Sequence, residues 1–301
     1  MHRQFTQLII IYFSTGLYLF ASGSYEIFNF PVDARNLALH NSASAYDGIL
    51  LNNNPASLSK RANGNTYSYF YLPANIHFTG FQNVHNSSSG VRANKISFMS
   101  YGAIIDGETE KKSYAYDILL ESGVKKEIKN LTSVGLLAGY LFSSIAGYKS
   151  QLLYSNIGIR SRMLRKRLGV GLSLENIGFL LKSYTDVKEP IPALFRTALY
   201  YKPQYIPLII NGDFVTFIGD DKPLHFSGGI EFKPHNRLTL RLGSSNHRKG
   251  YMTDDFSSDV IAGFSGGAGF RFTNMTLDVG FMNLGPAGFV MGFSLMKKKM
   301  D

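Results

Sequence analysis

Along most of the chain beyond Asn65, apolar side chains fall at alternate positions. Leu168, Val170, Leu172 and Leu174 interleave with Gly169, Gly171, Ser173 and Glu175, and Leu224, Phe226, Ile230 and Phe232 with His225, Ser227, Gly229 and Glu231. Leu238, Leu240 and Leu242 alternate with Arg237, Thr239 and Arg241. Near the end Leu277, Val279 and Phe281 oppose Thr276, Asp278 and Gly280, and Phe289, Met291, Phe293 and Leu295 oppose Gly292 and Ser294. A period of two belongs to strands with one apolar and one small or polar face. The pattern predicts about 14 strands, centred near Tyr69, Phe81, Phe98, Tyr116, Leu137, Tyr154, Leu172, Leu199, Ile210, Gly228, Leu240, Phe270, Leu277 and Phe293.

A soluble sandwich also alternates, because its inner faces pack on each other. The residues favour an all-β transmembrane antiparallel β-barrel instead. The strand count is even, as a barrel with both termini on one side requires, and the second face carries Gly, Ser, Asn, Arg and Glu, which suits a lumen better than a dry core. The mean hydropathy of -0.04 taken alone indicates a soluble protein, but the alternation is the stronger observation. Thirty glycines and an aromatic content of 14% agree with short strands and tight turns.

If the chain enters the wall from the periplasm, connections after odd-numbered strands face outside. They carry the acidic stretches around Glu108, Glu189, Asp220, Asp221 and Asp254. The opposite end collects "SGVKKEIKN", the run 162–167 "RMLRKR", Lys202 and Lys233. The net charge of +10 is therefore sorted to one end, where it would favour an anionic lipid leaflet; outer-membrane lipids are the expected surroundings and nucleic acid is not an expected partner. Tryptophan is absent, so the aromatic girdles of a barrel fall to Tyr and Phe, with Tyr67, Tyr69, Tyr71, Tyr200 and Tyr201 as candidates.

The first residues read as an export signal. Arg3 is followed by the apolar stretch 8–20, shorter than the roughly 20 residues of a membrane span, and then by the small residues Ala21, Ser22 and Gly23. The expected organisation is a cleaved signal peptide over 1–23, an N-terminal plug or periplasmic segment over 24–59, and an outer-membrane barrel over 60–301. Within the plug segment, "LLNNNPASLSK" combines a proline that cannot join a strand ladder with asparagines that satisfy local backbone groups. It predicts a fixed corner between plug and wall, with the segment as a short helix and irregular chain in the periplasmic mouth.

Candidate chemistry is sparse. Gly263-Phe264-Ser265-Gly266-Gly267 fits G-x-S-x-G, but alternating strand residues follow it where a nucleophile elbow needs a helix. The seven histidines include no metal-binding spacing. Ser227 and His225 share a strand face, an arrangement expected of plain polar lining. With no cysteine, thiolate sites and disulfides are excluded. No enzyme activity, cofactor or metal is expected.

Residues 28–58, "FNFPVDARNLALHNSASAYDGILLNNNPASL", resemble the opening of the PorV/PorQ family, barrels related to the FadL transporters. The matching positions are Phe28, Phe30, Pro31, Ala34, Arg35, Ala38, Leu39, Asp47, Asn54, Pro55, Ala56 and Leu58. Of these, Pro31, Arg35, Asn54, Pro55 and Ala56 form the structural motif. Two departures stand out: His40-Asn41 replaces paired glycines, and the chain continues past Leu295 into "MKKKMD". The resemblance implies a FadL-like barrel of 14 strands serving type IX secretion, with the translocon, attachment-complex subunits or secreted cargo as partners, and the loops 106–112 and 246–259 as the partner surface. The alternative is a FadL-like outer-membrane transporter of hydrophobic small molecules, which requires an apolar pocket inside the barrel.

Overall fold

A computed structural model describes residues 25–47, 51, 53–105, 112–129, 131–219, 224–252 and 261–299. The expected signal peptide and, of the two loops, residues 106–111 and 253–259 lie outside the described residues, as do Asp220 and Asp221. Fourteen antiparallel strands close into a barrel in sequence order, with β1 pairing with β14. They are β1 Gly64–Leu72, β2 Ile76–Ser87, β3 Gly90–Ile105, β4 Lys112–Lys129, β5 Thr132–Ile145, β6 Tyr148–Met163 and β7 Leu168–Lys182, followed by β8 Leu194–Tyr201, β9 Leu208–Phe217, β10 His225–His235, β11 Leu238–Ser245, β12 Phe264–Arg271, β13 Met275–Asn283 and β14 Phe289–Lys298. All of the centres read from the alternation fall inside these strands. Among the described residues no helix is long and apolar enough to cross a membrane.

Burial alternates along most of the wall. On β13, Leu277, Val279 and Phe281 face out while Thr276, Asp278 and Gly280 face in. The outward set across the barrel, Phe98, Leu136, Ile159, Phe195, Ile210, Phe232 and Phe293 among it, makes a continuous apolar exterior that water would not favour and a bilayer core would. Closure leaves no strand edge unpaired. One local irregularity has a plain cause: Pro234 has no N–H to give to the ladder, and the β10–β11 register shifts between Phe232 and His235.

The girdle assignment needs one correction. Tyr67 and Tyr71 face outward at 54% and 45% exposure, and so does Tyr201 at 44%, but Tyr200 is 4% exposed and lies in the lumen. Successive strand residues point to opposite faces, so Tyr200 and Tyr201 cannot share one. The C-terminal "MKKKMD" is also not simply a tail beyond the wall: Lys297 and Lys298 belong to β14, with Lys298 opposite Gly64.

The connections after even-numbered strands sit at one end, called here the basic end. Leu164–Lys166, Lys202, Arg237 and Arg271 lie there together with Lys298 and the start of β1.

Candidate functional site

The lumen is occupied by the segment preceding β1. This plug contains one short helix, α1 (Ala34–Ala38), capped by Asp33, whose carboxylate accepts the Asn36 N–H at 2.6 Å. Its reach is longer than a mouth-filling segment. Tyr25 hydrogen-bonds Ser150 at 2.7 Å beside the β5–β6 connection, at the end opposite the basic one, whereas Asn63 receives the Lys299 N–H at the basic end. Between those points the plug runs along the inner wall, touching β12–β14, then β9–β11, then β4–β7.

Three charged anchors hold it. Arg35 grips Glu231 with two donors, Nε to Oε2 at 3.1 Å and Nη2 to Oε1 at 2.5 Å. Glu231 also accepts from Arg241, whose Nη1 reaches Asp278 at 2.7 Å. Further along, the Ser44 N–H points at Asp213, which Arg196 ties to Glu175. Asp47 receives Arg160 Nη1 at 2.7 Å. Arg35, Glu231, Arg241, Asp278, Arg196, Asp213 and Arg160 are each at least nine-tenths buried, so each charge is stable only with its partner in place. Burial raises the Asp33 carboxyl to about 6, against the pull of the Asn36 N–H and Arg35. It lowers the His40 imidazole to about 4. The Asp47 carboxyl, although burial opposes ionisation, is held below its usual range by Arg160.

The five motif residues have distinct places. Pro31 is buried just before α1 and Arg35 is the first anchor. Asn54 caps a short turn (Pro55–Ser57): its Oδ1 accepts the Ala56 N–H at 3.0 Å, and its Nδ2 donates to the carbonyls of Ile159 and Leu172, both at 3.3 Å. Ala56 O accepts from Ser133 at 3.0 Å. The corner at Asn54, Pro55 and Ala56 is therefore pinned against β5, β6 and β7.

Alternation alone read the inward glycines as lumen lining. Several are contact points for the plug. A Cβ on Gly135 would overlap the Pro55 carbonyl and the Ala56 nitrogen, and one on Gly158 would overlap the Asn54 amide. A Cβ on Gly280 would come 2.5 Å from Ala34 O, and one on Gly243 2.5 Å from the Leu39 carbonyl carbon. The departure at His40-Asn41 becomes intelligible here. Both residues are left-handed, at φ 53 and 57, the conformation for which glycine is the default. Asn41 offsets that strain by donating to Asn29 O at 3.2 Å and His40 by pairing with Ser245 at 2.8 Å. The close approach survives because Gly243 supplies it from the wall.

A second environment lies toward the Tyr25 end. Phe28 packs edge-on to Tyr154 with ring centroids 4.8 Å apart, and Phe30 meets Phe70 and Phe78 at 5.4 and 5.2 Å. Met99, Leu119, Leu141, Leu152 and Val290 complete an apolar nest that continues into the buried Leu37, Leu51, Leu58, Val84 and Leu137. Beside it, a cavity of about 30 Å³ touches Phe28, Leu119 and Tyr154 together with the Lys95–Glu121 ion pair.

No nucleophile–base pair forms at the serines singled out by sequence. Ser265 Oγ donates to Ala38 O at 3.1 Å within β12, and the His225 ring lies against His247 at a centroid distance of 4.2 Å. His225 Nδ1 and Ser227 Oγ have no hydrogen-bond partner among the described residues, so nothing orients the imagined base.

No family model and no curated protein matches the chain. Solved structures do. The toluene transporter TodX of Pseudomonas putida superposes with a TM-score of 0.61 at 13% identity, covering 89% of this chain and 98% of that one. A deltaS2 mutant of TodX, described as a monoaromatic hydrocarbon channel, gives 0.60 at 11% identity over 90% of this chain and all of the other. The Ralstonia pickettii toluene transporter TbuX gives 0.56 at 10% identity, with 89% and 98% covered. The shared property is the barrel fold.

Proposed function

We propose that the chain is an outer-membrane channel for small hydrophobic molecules, with residues 25–32 as the displaceable cover of a lumenal binding site. The apolar nest around Phe70, Phe78, Met99 and Leu141 carries this reading. A lumen that passed only water and ions would have no use for a dry aromatic chamber, whereas a site for an apolar ligand needs one, lined by aromatics with a few polar groups at its edge. Phe28 and Phe30 fill the chamber as a ligand would, and apolar contact is a hold that an apolar competitor can replace. The FadL-type fold and the hydrocarbon-transporting neighbours TodX and TbuX support the same reading.

The test is saturation-transfer NMR with toluene on the full chain in nanodiscs. Contacts with the methyls of Met99 and Leu141 are expected, stronger in Phe28→Ala/Phe30→Ala. Absence of contact in both chains would overturn the proposal. A second reading, an accessory role in type IX secretion, draws on the resemblance of the plug motif and on the polar, filled character of most of the lumen. Recovery of translocon or attachment subunits with the protein from native membranes would move the assignment there.

A further inference from the structure

At the basic end a cavity of about 420 Å³ opens between the plug root and the inner faces of β10–β14. Six cations and three carboxylates line it: Arg35, Arg61, Lys233, Arg241, Arg271 and Lys298 against Asp47, Glu231 and Asp278. The carboxylates are already committed. Glu231 and Asp278 serve Arg35 and Arg241, and Asp47 serves Arg160. Arg61, Lys233, Arg271 and Lys298 form no ion pair among the described residues.

Like charges around one cavity repel each other and focus a positive potential into it. Lys233, which also lies over the Tyr46 ring, and Lys298 are half-buried, while Arg61 and Arg271 are exposed at the mouth. Here the strand pleat fixes three of them on lumenal positions, with Lys298 on the same side of β14 as Ser294 and Met296 while Lys297 faces away. The fourth, Arg61, belongs to the plug. Guanidinium forks on Arg61 and Arg271 suit the paired oxygens of phosphate, and Ser59, Thr239 and Thr276 add hydroxyls to the same walls.

We infer that this cavity binds a small soluble polyanion of the phosphate type, clasped between the plug root and three strands. Lipid headgroups do not fit the position, because lipid-facing residues of these strands are Phe232, Leu240, Phe270, Val279 and Phe293, on the opposite side of the wall. A ligand bridging Arg61 to Lys233, Arg271 and Lys298 would fasten the plug at its base. The site therefore steadies the plug root at the end opposite the aromatic nest, and it does not depend on what the nest accommodates.

The probe is inorganic pyrophosphate, titrated calorimetrically into the full chain in phosphatidylcholine nanodiscs at low salt, with glucose as the uncharged control. One-site binding to the unaltered chain is expected, weakened at least tenfold in Arg271→Ala/Lys298→Ala and weakened further by added salt. Lys297→Ala, one residue away but facing out, is expected to leave it unchanged; heat-modifiable mobility on gels verifies that each variant is folded. Three results would overturn the inference: no binding at low salt, equal losses in the lumenal and outward variants, or abolition of binding when phosphatidylglycerol is included in the disc.

Discussion

The two parts of the plug are held by different physics. Residues 25–32 rest in the aromatic nest through ring contacts and apolar burial, with the Tyr25–Ser150 hydrogen bond at the tip. Residues 33–47 and 53–59 also bury Leu37, Leu39 and Leu58, but they are fixed in addition by buried ion pairs, a capped corner and backbone contacts with wall glycines. Apolar burial is non-directional, so another apolar body can substitute for it. A buried ion pair has no such substitute, since separating it leaves a charge in a poor solvent. Under the proposed function the arm is the part that leaves, whereas buried ion pairs tie the rest to the wall.

The comparison can be broken from the strong side first. Glu231→Ala strands Arg35 and leaves Arg241 with Asp278 alone, and is expected to weaken docking of the middle plug by about 3–5 kcal/mol. The chain has no cysteine, so one introduced at buried Ser42 reports docking through its labelling rate. Unchanged labelling in Glu231→Ala would show that the anchors are not what holds the middle segment. A smaller loss, about 1–3 kcal/mol, is expected for Gly280→Leu, which presses on Ala34 O; the same labelling assay reads it.

The smallest effect is expected from pH in the unaltered chain, because two plug groups oppose each other. Asp33 is raised from 3.8 to about 6, so its docked form binds more protons and docking weakens as pH rises from about 4 to about 6. His40 is lowered from 6.5 to about 4, so docking weakens as pH falls through that window. Replacing His40 by Gln removes the second contribution, and labelling of Ser42→Cys, taken relative to a free thiol at the same pH, is then expected to be slower at pH 4 than at pH 7. A variant with the opposite dependence would show that Asp33 is not buried in the docked state.

Much of the wall was legible because lipid and lumen impose opposite demands on successive residues. That contrast marks strand faces even where, as with Leu277 and Asp278, only one position separates them. The motif at Asn54, Pro55 and Ala56 also announced a corner. What alternation could not announce was that Gly135, Gly158, Gly243 and Gly280 mark the plug's track. A small residue on a polar face looks the same whether it borders water or another backbone.

The sequence by itself determined the strands, their faces, the barrel class and the sorting of basic turns to one end, since each follows from local periodicity and chain order. Only the tertiary structure decided how far the plug reaches, which carboxylate meets which arginine, and that the lumen divides into an apolar nest and a cationic cavity. Arg35 and Glu231 are 196 residues apart. Their meeting depends on closure of the barrel and the plug's route through it, and no local pattern encodes a distance of that kind.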